Sequence, residues 1–199
     1  METNLDTNEV QETVLALSLM SEQLSHIVDT GNPHYWSWVI VALHNALQGF
    51  MVLALRGSNN LNVLSEKCAA EWLVAFRRGD GKYPKQILDK FLNLYKKIKS
   101  DRMKIYVNSC AFKPRGSQSQ SIKYLNSLRN EFIHFVPAGW MITVDEFPQV
   151  VEDCIDIMFF LAFECGNIMW RKPELKEQSR MLIEKAKADA NRLKQAYSG

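Results

Sequence analysis

The chain has 199 residues, 47% of them hydrophobic and 23% charged, with a formal net charge of +2. That is ordinary for a soluble globular protein, and long enough for one domain with a full core or a domain plus an appendage. The total charge identifies no partner, but its distribution is uneven. The first 55 residues hold no Lys or Arg, whereas Arg77 to Arg115 carries twelve basic residues against three acidic ones. Such a segment either attracts polyanions or is a solvated helix face and loop.

The cysteines are Cys68, Cys110, Cys154 and Cys165. None forms a C-x-x-C pair, so they read as small core residues in a reducing, cytoplasmic setting rather than disulfides or zinc ligands. The acidic N-terminus lacks the basic start of a signal peptide.

In chain order, Val10–Val28 is expected to be an amphipathic helix burying Val14, Leu17, Leu24 and Ile27. Gly31-Asn32-Pro33 ends it and starts a second helix, about His34 to Leu55. That stretch has no charged residue and approaches the length of a membrane span, but His44, Asn45 and Gln48 near its middle oppose insertion. The centre of a helical bundle needs the same kind of helix. A third helix is expected over about Leu61–Arg77, on Leu61, Leu64, Cys68, Trp72 and Phe76. Tyr83–Lys99 reads as the next, with Ile87, Phe91, Leu94 and Ile98 inside and Lys85, Lys90, Lys96, Lys97 and Lys99 outside.

Residues 101–112 read as strand or helix, and Lys113–Ser121 as a polar loop. A helix over about Gln120–Val136 follows, stopped by Pro137. Thr143 or Asp145 can cap an apolar helix over about Pro148–Asn167. Pro173–Tyr197 has the composition of a solvent-facing or partner-binding helix. The expectation is an all-α chain: an antiparallel helical bundle over residues 1–170 with a basic insertion at about 77–121, and a C-terminal helical extension over 171–199.

The segment "SLRNEFIHFVP" carries three groups suited to phosphate chemistry. With about 100° per residue, Ile122, Leu125, Leu128, Phe132 and Phe135 form one apolar stripe. Asn130 and His134 stack one turn apart on the polar face, beside Lys123, Asn126 and Ser127. Arg129 lies about 140° from His134, so the two do not share a face directly.

Arg129, the polar Asn130 after it and His134 near a helix end resemble the R-x(4–6)-H motif of the HEPN superfamily. "NPHYWSWVIVALHNALQGFMVLAL" is also similar to the N-terminal helix of an uncharacterised bacterial branch of that superfamily. The resemblance covers about His34 to Asn167 and leaves extra helices at both ends. It implies a metal-independent endoribonuclease with no cofactor, of toxin–antitoxin or antiphage type. It also implies a homodimer in which Arg129, Asn130 and His134 of two chains share one cleft. An imidazole can take the proton of a ribose 2′-hydroxyl or protonate the leaving 5′-oxygen near neutral pH. A guanidinium can pair with phosphate oxygens.

His44, Asn45 and Gln48 either form a core network or dimer seam, or support Arg129 or His134. Candidate RNA contacts are Lys96, Lys97, Lys99, Arg102, Lys104 and Arg115. Trp140 could stack a base, but reads first as a packing residue. Partners on this reading are RNA, a second copy and a cognate antitoxin or regulatory protein, with no membrane. The competing readings are a non-catalytic HEPN module that binds nucleotide, RNA or a partner protein, and a membrane protein built around the second helix.

Overall fold

The computed structural model describes residues 4–134 and 141–198 and is all-α. Pro137 as a helix stop, Phe135 and Val136 at the helix end, and Trp140 lie outside the described residues. Helix α1 is Glu9–Thr30. Asn8 caps it by accepting from the backbone N–H groups of Val10 and Gln11, at 3.0 and 3.1 Å. Gly31, at φ 68°, ends it in a left-handed turn that a side chain would strain. A 3-10 turn at Pro33–Tyr35 leads into α2, Trp36–Leu55.

Helix α2 is the centre of the molecule. Thirteen of its 20 residues are buried, and it packs against α1, α4 (Phe91–Ile98), α5 (Gln118–Ile133) and α6 (Phe147–Phe159). Pro33–Leu55 is long and apolar enough to cross a membrane, yet 67% of its apolar window is buried inside the fold. Its charge-free sequence is thus satisfied by surrounding helices. Gly49 lets α1 approach closely: a Cβ there would overlap the Thr13 side chain.

The third and fourth expected helices differ from the sequence reading. Leu61–Val63 is a separate 3-10 turn, and α3 begins only at Glu66, capped by Ser65, and runs to Arg78. Residues 83–90 are not helical. Leu88 bridges to Leu64, the Ser65 N–H donates to the Ile87 carbonyl at 3.0 Å, and the Asp89 N–H donates to Val63 at 2.9 Å. These pairings leave only Phe91–Ile98 helical and put Ile87 at the surface, 57% exposed. Phe76, also expected inside, is 45% exposed.

After a 3-10 turn at Asp101–Met103, residues 104–117 are irregular, neither strand nor helix. Cys110 is therefore exposed rather than a core residue, while Cys68, Cys154 and Cys165 are buried; all four are free thiols. Asn167 gathers this region. Its amide donates to the carbonyls of Ala54 and Met103, each at 2.9 Å, and its oxygen accepts from Ser109 at 2.5 Å. Helix α6 starts after Glu146 with no side-chain cap, so neither Thr143 nor Asp145 serves, and it relaxes into a wider π turn at Phe160–Glu164. Helix α7, Pro173–Tyr197, packs on α1 and α6, burying Ile183, Ala186, Ala190 and Leu193.

Candidate functional site

Helix α5 is set in place by its two ends. At the start, the buried carboxylate of Asp153 on α6 accepts from Ser117 and Ser121, at 2.7 and 2.5 Å. At the end, His134 leaves the helix at φ −96° and ψ 80°, its N–H still donating to the Asn130 carbonyl at 3.0 Å. Ile122, Leu125 and Leu128 point into the core, while Phe132 is half-buried. This matches the apolar stripe read from the sequence and leaves Asn130 and His134 exposed.

Arg129 is half-buried at the edge of that stripe. Its Nη1 donates to Asn130 Oδ1 at 3.2 Å, and its Nε is buried without a hydrogen-bond partner. The guanidinium therefore holds one donor in reserve where water reaches poorly.

Beside it lies His44 of α2, only 4% exposed and stacked on the Phe91 ring at 3.9 Å and 23°. Burial, then the Arg129 charge, lower its pKa from 6.5 to about 4, against opposing hydrogen bonds with Asn126 and Asn45. At neutral pH this imidazole is uncharged, so it can lie against a guanidinium without repulsion. Its Nδ1 has no hydrogen-bond partner.

The structure thus joins Arg129 to Asn130 by a hydrogen bond and brings its charge near enough to His44 to lower the imidazole's pKa. Asn45 is exposed on the same stretch of α2, and Gln48 is half-buried and takes no part in these contacts. No side-chain hydrogen bond joins His134 to Arg129 or Asn130 among the described residues. Two participants escaped the sequence reading. Asn126 had one signal, its position one turn before Asn130 on the polar face. Phe91 had none, because its stacking on His44 is a tertiary contact.

The basic candidates divide. Lys96 and Arg115 are exposed, and the Lys99 ammonium sits 4.3 Å over the Tyr95 ring. Arg102 pairs with Glu66 and Lys104 with Asp101, each at 2.8 Å. Lys97 is no surface contact: it is 6% exposed, its ammonium pairs with Asp89 at 2.6 Å and donates to the Leu64 carbonyl at 2.6 Å. A lysine on the expected basic face is turned inward because a buried carboxylate neutralises it. Burial works to raise the Asp89 pKa, but bonds from Lys97, Asn93 and the Lys90 N–H hold it below the usual carboxylate value.

Among the described residues, no three His, Cys, Asp or Glu side chains gather as a metal site. No protein-family model, curated protein or solved structure matches the chain.

Proposed function

We propose that the chain is a cytoplasmic, metal-independent endoribonuclease of HEPN type, acting as a homodimer and serving as a toxin or antiphage effector. The observation that carries this reading is Arg129, half-buried near the end of α5, hydrogen-bonded to Asn130, close enough for its charge to lower the His44 pKa, and with a buried donor unpaired. A guanidinium so restrained is suited to the charge that builds on a phosphate during transfer. His134 at the helix cap is open to solvent and to a second chain.

Within one chain, Arg129 and His134 lie about 140° apart on an ideal helix, on different sides of α5. One imidazole cannot serve conveniently as both base and acid on opposite sides of phosphorus. An isologous contact along α2 and α5 supplies a second set. Trp38, 60% exposed, and Asn45 mark an uncovered strip of α2 suited to such a contact. One imidazole then takes the 2′-hydroxyl proton while the other protonates the leaving 5′-oxygen. The products are a 2′,3′-cyclic phosphate and a 5′-hydroxyl. Lys96, Lys99 and Arg115 are the charges available to flanking phosphates.

RNA cleavage by the wild type and by His134→Ala tests this. The variant should be slower by about 10²–10⁴-fold, and Arg129→Ala should fail as well. Equal cleavage by wild type and His134→Ala removes the reading. The separation of His134 from Arg129 within one chain favours a second reading, a non-catalytic module that binds nucleotide, RNA or an antitoxin-like protein. A folded dimer that binds RNA and cuts none supports that module.

A further inference from the structure

Helix α3 leaves most of its apolar surface uncovered. Only Cys68 and Ala75 of its 13 residues are buried. Leu73, Val74 and Phe76 are 46%, 58% and 45% exposed, and Tyr83, Ile87 and Leu88 beside them are 47%, 57% and 43% exposed. The surface is ordered by its own contacts: Trp72 stacks on Tyr83 at 4.9 Å, and Phe76 lies 5.6 Å from Trp72 and 5.3 Å from Tyr83. Between α3 and the Tyr83–Pro84 segment runs a groove of about 550 Å³, floored by Ala70, Val74 and Ala75. An exposed apolar area of this extent on a soluble protein marks an interaction site.

Its charge selects the occupant. Asp80 is paired with Arg78, and Glu71 faces Lys67. The charged residues that line the groove are Glu71, Arg78 and Lys82. Lys82, and Arg77 and Lys85 next to it in the sequence, have no carboxylate partner among the described residues, so the surroundings are net basic despite Glu71. The chain itself carries the complement. On the outer side of α1, Glu12, Leu15, Leu19 and Glu22 recur at alternating three- and four-residue steps and form one stripe. Leu15 and Leu19 are 63% and 45% exposed, and α1 contains no Lys or Arg.

We propose that the α3 groove receives the α1 stripe of a second copy, so that copies join head to tail. Leucines enter the apolar groove, and Glu12 and Glu22 meet its basic surroundings. The two faces differ, so a joined pair keeps one groove and one stripe free between its two copies, and the contact closes into a ring or extends as a filament. This contact is separate from the α5 cleft and does not depend on nuclease activity. Single-stranded RNA is a poorer fit: Trp72, Phe76 and Tyr83 are engaged with one another, and the rest of the surface, Leu73, Val74, Ile87 and Leu88, is aliphatic and stacks no base. An anionic bilayer would suit the basic surroundings but gives no role to the acidic leucine stripe.

Sedimentation velocity on the full chain tests the proposal, with Val74→Glu to block the groove and Leu19→Lys to block the stripe. Both positions are exposed, and unchanged thermal unfolding will show that both variants fold. The wild type should associate beyond its smallest species, less so at high salt. Each variant alone should weaken that association by about tenfold or more. An equimolar mixture should form a complex again, because one variant retains the stripe and the other the groove. A wild type of constant size at all concentrations overturns the proposal, as does a mixture that fails to reassociate. So does a Val74→Glu phenotype confined to binding of anionic vesicles or single-stranded RNA.

Discussion

Helices α2 and α3 are both rich in apolar residues, yet they meet opposite fates. Helix α2 has 13 of 20 residues buried, while α3 has two of 13 buried and packs mainly on the turn at Leu61–Val63. Charge separates them first: α2 carries no charged residue, whereas five of the 13 residues of α3 are charged. Four helices surround α2, so nearly every side chain finds a partner. Helix α3 is held as an arm, anchored at its base by the Leu64–Leu88 bridge and the Asp89–Lys97 pair. One helix supplies stability, and the other keeps an apolar surface available for contact.

The largest expected effect comes from breaking the anchor. Asp89→Ala leaves the Lys97 ammonium buried without a counter-charge and should cost about 3–5 kcal/mol in urea unfolding. If the loss is small, the arm is not held by that pair.

On the α2 side, pH is the sharper instrument. The His44 pKa falls from 6.5 unfolded to about 4 folded. As pH drops below about 6.5 the unfolded chain takes up this proton and the folded chain refuses it until about pH 4, so stability falls through that window. The loss attributable to His44 is about 3 kcal/mol. His44→Gln should flatten this part of the stability–pH curve, and an unchanged slope would show that the imidazole is not buried as described.

A smaller effect is expected at the α1–α2 contact. Gly49→Ala forces the Thr13 side chain aside and should cost about 1–3 kcal/mol, measured as a lowered denaturation midpoint. The smallest effect belongs to α3: Val74→Ser should shift stability by no more than about 0.5 kcal/mol. A larger loss would place Val74 in the core and dissolve the contrast between the helices.

How far the sequence reading reached follows the same contrast. The periodic patterns of α1, α2, α5 and α7 were legible because local spacing and packing agree there, and the expected bounds fall close to the observed ones. The Ile87-Phe91-Leu94-Ile98 pattern misled at its start. Pro84 disfavours helix in the residue before it, and pairing with residues 63–65 draws 87–89 into an extended path. Lys97 could not be placed from its own helix, because its partner Asp89 lies outside α4. In the candidate site, the contact of Arg129 with Asn130 follows from adjacency. The approach of His44 was one of two open readings, and its stacking on Phe91 was invisible without the fold.

The indole N–H of Trp36 donates to the Tyr197 hydroxyl at 3.1 Å, and Trp36 itself is only 1% exposed. Residues 161 positions apart thus form a latch between the entrance of the central helix and the final turn of α7. A chain cut before Tyr197 would bare that indole and red-shift its fluorescence, giving an optical reading of whether the last helix is seated.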